Sequence, residues 1–166
     1  MKNIFKVNGN FKLIPLIISL AIPLIGSFLV SIVTKDSMKL YGELNLPTFY
    51  PPEWIFGVVW PVLYILMGIA AYRIYMIKKY DNKSNGALVL YCIQLILNLA
   101  WPIIFFYFRL YGIAWIELAI LILVLIVTFI KFFKLDKISG ILLIPYILWC
   151  IFALYLNISI WMLNEM

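Results

Sequence analysis

Histidine does not occur anywhere in this chain of 166 residues. Its absence removes the usual general base at neutral pH and the commonest protein ligand for zinc and haem iron. Cysteine is almost as scarce. Cys92 and Cys150 stand alone inside apolar segments, without a C-x-x-C pair, and read as small buried hydrophobes, not a redox couple or a metal site. No Walker loop, G-x-S-x-G elbow or H-E-x-x-H helix appears, and no cofactor is expected. Charged residues make up 12% of the chain, where soluble domains carry about a quarter. With 66% hydrophobic residues and a mean hydropathy of +1.09, the chain cannot cover its apolar surface with polar groups. Lipid is the solvent that suits it.

What the chain does have is long apolar runs. Five stand out, near residues 13–33, 52–77, 86–108, 112–132 and 138–163. Each reaches the ~20 residues that cross a ~30 Å hydrocarbon layer. They read as helices, because lone strands or open loops in lipid would leave backbone groups unpaired. The expected fold is an all-α membrane protein, a bundle of five transmembrane helices. The links "KKYDNKSNG", "RLYG" and "KLDKISG" are too short for a soluble domain, so residues 1–166 are expected to form a single integral membrane domain. There is no internal repeat, and an odd helix count does not suggest the paired halves of many transporters. The first apolar run is about twice the length of a signal-peptide core and lacks an A-x-A site, so it reads as a retained helix.

Basic residues set the expected orientation. Lys2, Lys6, Lys12, Arg73, Lys78, Lys79, Lys83, Lys131, Lys134 and Lys137 fall on the N-terminal side, against Lys35, Lys39 and Arg109 opposite. That bias predicts a cytoplasmic N-terminus and an external C-terminus, as in a bacterial cell membrane. The net charge of +6 is then a topology signal. Nucleic acid is not an expected partner, since no clustered basic face exists on a folded module. Of the seven acids, Glu117 alone falls clearly inside an apolar run. It lies close to a helix start, where it is expected to reach the interface, the helix N-terminus and Arg109. A proton relay would want a second intramembrane acid, and none is present.

The stretch "LNLPTFYPPEWIFGVVWPVLY" crowds prolines and aromatics at the start of the second run. Pro51 and Pro52 suit a first helical turn, where missing N–H groups cost nothing. Phe56, Trp60 and Tyr64 then follow at i, i+4 and i+8, along one face. Pro61 deprives the Gly57 carbonyl of its helical partner and is expected to bend the helix. In the third run, Gln94, Asn98, Trp101 and Phe105 share a face, and Pro102 frees the Asn98 carbonyl. In the fifth, Pro145, Trp149, Ala153 and Asn157 recur at i+4 intervals. Each stripe can serve interhelical packing, where an amide contact is worth ~0.6–2 kcal/mol, or can wall a cavity. Trp115 and Trp161 are assigned to the interfacial belt.

Together, "PPEWIFGVVWPVLYILMGIA", "QLILNLAWPIIFF" and "LLIPYILWCIFALYLN" resemble the signature segments of the tryptophan-rich sensory protein family, which includes the translocator protein or peripheral benzodiazepine receptor. The resemblance runs over nearly the whole chain, in the same order and at similar spacing. It implies a homodimeric five-helix bundle with a central ligand cavity that takes porphyrins, synthetic isoquinoline or benzodiazepine compounds and, in some members, sterols. The residues that carry over to the ligand site are Tyr41, Pro51, Trp60, Asn98, Trp101, Trp149 and Ala153, and Tyr64 joins them from the aromatic face. Residues 34–50 would lid the cavity, and Lys35, Lys39 and Arg109 on that side would meet porphyrin propionates.

The chain departs from the family in three places. Leu40–Tyr41 stands for a Trp-Tyr pair, Leu46 for a lysine, and no Lys or Arg follows Lys137 to complete the C-terminal sterol motif. The leading expectation is a membrane-embedded binding protein, sensor or carrier, for porphyrins and related apolar molecules, with lipid around it. Its rivals are a light-dependent porphyrin-degrading enzyme using Trp60 and Trp149 as redox partners, and a dimeric regulatory scaffold. For the scaffold, Ser27 and Ser31 give one weak small-xxx-small match.

Overall fold

The computed structural model describes residues 4–38, 42–77 and 84–166, with the side chains of residues 36–38 and 53 left aside. Helix α1 spans Leu13–Met38, α2 Glu53–Ile77, α3 Ser84–Pro102, α4 Tyr111–Leu135 and α5 Lys137–Asn164. All five are long and apolar enough to cross a membrane, α3 together with the turn that follows it. The protein is an all-α, multi-pass integral membrane protein, and no sheet occurs among the described residues. Of the residues used to read orientation, Lys2, Lys39, Lys78, Lys79 and Lys83 lie outside the described residues, as does Tyr41.

Packing arranges the helices in the ring α1–α2–α5–α4–α3, which closes where the end of α3 meets α1. The core runs through the middle of this ring, from Leu63, Met67, Ala70 and Ala71 of α2 to Leu121 and Leu125 of α4 and Leu143 and Cys150 of α5. Small residues allow the closest approaches. A Cβ on Gly68 would lie 2.8 Å from the Ser19 carbonyl oxygen of α1. One on Gly140 would lie 2.6 Å from Phe133 Cβ, where α4 and α5 meet.

Proline chemistry shapes the end of α3. Pro102 has no N–H to offer, and after it the helix widens into a π-turn over Ile103–Tyr107, in which Phe108 N donates to Ile103 O at 3.0 Å. Arg109 then takes a left-handed φ of 56° to reverse the chain into α4. The α4–α5 link is a single residue, Asp136. Its N–H closes α4 on Phe132 O at 2.7 Å, and its carboxylate caps α5 by accepting from Ser139 N at 3.0 Å.

Asp136 also anchors the N-terminal side of the bundle. Arg73 of α2, 4% exposed, donates through Nε and Nη2 to the two Asp136 carboxylate oxygens, at 2.6 and 3.0 Å. Its Nη1 holds the carbonyls of Ile4 and Lys6 at 2.7 and 3.2 Å. The N-terminal segment folds beneath α1 and α2 through a tight turn, Val7–Asn10, with Asn8 and Gly9 at φ of 49° and 78°. That is the Asn-Gly pairing such turns favour. Burial alone would raise the Asp136 carboxyl, but the hydrogen bonds from Arg73 and Ser139 and the Arg73 charge outweigh it and hold it below the usual carboxylate range.

Candidate functional site

At the opposite end of the bundle, α1, α2 and the end of α3 leave a cavity of about 450 Å³, within the ~300–1,000 Å³ typical of small-molecule sites. From α2 it takes Phe56, Gly57, Trp60, Pro61 and Tyr64, and from the end of α3 Trp101, Pro102 and Phe106. The i, i+4, i+8 spacing of Phe56, Trp60 and Tyr64 does bring all three to one wall. Gly57, whose carbonyl lost its helical donor to Pro61, lines the cavity beside that proline. From α1 come Leu24, Ser27, Phe28, Val30, Ser31 and Thr34.

Two stacked aromatic pairs stiffen the walls. Trp60 lies on Tyr64 with ring centroids 5.7 Å apart and planes 28° apart. Trp101 lies on Phe105 at 4.9 Å and 26°. Such pairs are worth about 0.5–1.5 kcal/mol each beyond area burial, so these rings are held before any ligand arrives.

The protons of the polar groups around the cavity are largely committed. Ser27, Ser31 and Thr34 donate to the carbonyls of Leu24, Phe28 and Val30 in their own helix. Tyr64 OH donates to Asn98 Oδ1 at 2.8 Å, and Trp101 Nε1 to Asn157 Oδ1 at 3.0 Å. What those hydroxyls still offer is acceptor lone pairs. No charged side chain among the described residues lines the space; Lys35 and Arg109 are exposed and stand outside it.

The structure therefore divides the sequence-derived site. Trp60, Tyr64 and Trp101 share the cavity. Asn98, 1% exposed, lies behind it, its Nδ2 donating to Tyr146 OH at 2.8 Å, so that one amide joins α2, α3 and α5. Gln94, on the same α3 face, is fully buried with neither amide atom partnered among the described residues. Trp149 belongs to a separate apolar groove between α2 and α5, with Val62, Leu66 and Phe152 among its walls. Phe56 stands edge-on to Trp149 at 5.8 Å. Neither of these two spaces, bounded by described residues, takes both Trp60 and Trp149. Ala153 borders a small void of about 20 Å³ that shares Phe56, Trp101 and Phe106 with the main cavity. Pro51, half-buried before α2, lines none of these spaces.

Residues 42–52 cross this end of the bundle nearer α5 than the cavity. Asn45 and Asn164 exchange hydrogen bonds, Asn45 N to Asn164 Oδ1 at 2.9 Å and Asn164 Nδ2 to Asn45 O at 3.0 Å. Leu44 and Leu46 pack on Phe105, Tyr111, Ala114 and Ile160. The leucine at position 46 is thus a packing residue here.

The α1 wall was not anticipated. Ser27 and Ser31, read as a weak helix–helix motif, line the cavity. Their spacing on one face, continued by Thr34, was the available signal.

A family model described as the TspO/MBR family matches residues 19–162 of the chain. Tryptophan-rich protein TspO of Chlorobaculum tepidum is 33% identical over 156 residues, covering 93% of this chain and 99% of that protein. The human translocator protein is 32% identical over 145 residues, 86% of each chain. The tryptophan-rich sensory protein of Cereibacter sphaeroides is 35% identical over 124 residues, covering 75% of this chain and 76% of its own.

Proposed function

The chain belongs to the TspO/MBR family, and from that membership we propose that it is a membrane-embedded binding protein for porphyrins and related flat apolar molecules. One observation carries the reading: the cavity of about 450 Å³ has the stacked pair Trp60–Tyr64 on one wall and Trp101, stacked on Phe105, on another. Flat aromatic walls favour a flat ligand through offset stacking. The acceptor lone pairs on Ser27, Ser31, Thr34 and Tyr64 suit a ligand that brings a few hydrogen-bond donors at its rim. The reading places this cavity toward the external face, with the N-terminus cytoplasmic, and allows a homodimer around the same fold.

Binding is favoured over tryptophan redox catalysis because Trp60 and Trp149 line different spaces and because no acid–base pair among the described residues lines the cavity. The test is a titration of the purified protein with metal-free porphyrin, in the dark and then under light. Trp60→Leu should weaken binding by about tenfold, near the upper end of the ~0.5–1.5 kcal/mol of one aromatic contact, and Trp60→Phe should retain most of the affinity. Unchanged affinity in Trp60→Leu would overturn the site. Porphyrin turnover under light that Trp60→Phe abolishes while affinity holds would overturn the function in favour of the enzyme.

A further inference from the structure

Glu117 is the one acid within the five membrane spans, carried on α4 inside Tyr111–Leu135. Both of its carboxyl oxygens are shielded from solvent and have no hydrogen-bond partner among the described residues. Neither the start of α4 nor the arginine before it satisfies this carboxyl. The first amides of α4 are taken by another acid: Tyr111 N and Gly112 N donate to Glu165 Oε1 and Oε2, at 3.0 and 3.1 Å. Arg109 is exposed at the turn and makes no ion pair with Glu117.

The cations on the elements packed against α4, Arg73 of α2 and Lys137 of α5, sit at its far end, Arg73 on Asp136 and Lys137 next to it in the chain. The Cys150 thiol of α5 is within electrostatic reach of Glu117. Tyr64 and Tyr146 are tied to Asn98. Tyr91 of α3 is stacked on Phe132, toward the far end of α4. A carboxylate without a donor or counter-charge is among the costliest groups to place in hydrocarbon, and a carboxylic acid is far less so.

We infer that Glu117 is an intramembrane proton-binding site, a carboxylic acid that carries its proton within the bundle at neutral pH. With no second acid in any span, the site holds a single proton and is not a link in a relay.

An apolar carbodiimide tests this on the full-length protein in detergent. A protonated carboxyl adds across the C=N bond of dicyclohexylcarbodiimide, its proton passing to nitrogen as the C–O bond forms. The adduct then rearranges to a stable N-acylurea, with no atom lost. Mass spectrometry after exposure at neutral pH should find the adduct on Glu117 and not on the acids outside the spans. Infrared spectroscopy should show a carboxylic C=O band that Glu117→Gln removes and Glu117→Asp keeps. A wild-type protein that shows neither the band nor the adduct carries Glu117 ionised, and the inference fails. An adduct without the band, or a band that persists in folded Glu117→Gln, overturns it equally. The wild-type labelling decides the matter even where Glu117→Gln does not fold.

Discussion

Tyr64 and Asn98 share a hydrogen bond of 2.8 Å behind the cavity wall, and the same amide reaches on to Tyr146. The wall tyrosine is therefore oriented from the protein interior, so its ring can stack on Trp60 without spending its hydroxyl proton on a ligand.

Replacing Asn98 with leucine leaves the Tyr64 and Tyr146 hydroxyls buried without their partner. The expected loss is about 1–3 kcal/mol of stability in the absence of ligand. Porphyrin affinity should fall less, because Asn98 does not line the cavity. Thermal unfolding in detergent, read beside the porphyrin titration, separates the two effects. An affinity loss at unchanged stability would place Asn98 in contact with the ligand.

The Arg73–Asp136 pair predicts a pH dependence with a definite sign. The folded carboxyl is held below its ordinary value, so its stabilising contribution is complete above the unfolded pKa of about 3.9. That contribution is lost as pH falls through the lower, folded value. Unfolding measured from pH 8 down to 3 should show a constant contribution from this pair that starts to fall only at the acid end. Asp136→Asn should remove that acid-end component and also lower stability at neutral pH, by about 3 kcal/mol if Arg73 is left buried and unpaired. A slope near pH 6 that Asp136→Asn abolishes would contradict the assignment.

Gly68 marks a close approach of α1 and α2. A methyl group there would press on the Ser19 carbonyl at 2.8 Å and on Leu20 Cα at 3.1 Å, and backbone cannot yield as a side-chain tip can. Gly68→Ala should cost about 1–3 kcal/mol. Because α1 supplies one wall of the cavity, porphyrin affinity should fall as well. Gly86→Ala is the control, since its added Cβ meets only the tip of Lys131, at 3.8 Å, and it lies outside the cavity lining. Equal effects of the two substitutions would show that the crossing does not set the cavity.

Orientation has its own check. Reporter fusions at Lys134 should report the cytoplasm, and fusions after Met166 should report the outside. The reverse pattern would put the cavity on the cytoplasmic face.

The helices were legible because length and apolarity alone specify them in a membrane. Their ends were less so. α1 runs on from Val33 to Met38, as Thr34 can satisfy its hydroxyl on Val30 O within the helix. The widened turn after Pro102 was hidden, since the sequence shows a lost donor but not how the backbone will recover. Arg73 was counted as one more positive charge. Its part in joining Asp136 to the N-terminal segment depends on partners 63 and 69 residues away in the chain, which no local pattern reveals. The same limit applies to the aromatic stripes: spacing showed that Trp60 and Trp149 lie on regular faces, but not that Phe56 would stand edge-on to Trp149.

The ring order α1–α2–α5–α4–α3 also bears on how the bundle is made. α5, the last of the five to be synthesised, belongs between α2 and α4. Until it arrives, the flank of α2 that will meet it faces lipid, and Asn98 waits for Tyr146 while Tyr64 is already beside it. Completion of the bundle therefore falls to its final helix, which must wedge into a gap between partners already in the membrane. A nascent chain halted before Lys137 should leave that gap open to lipid.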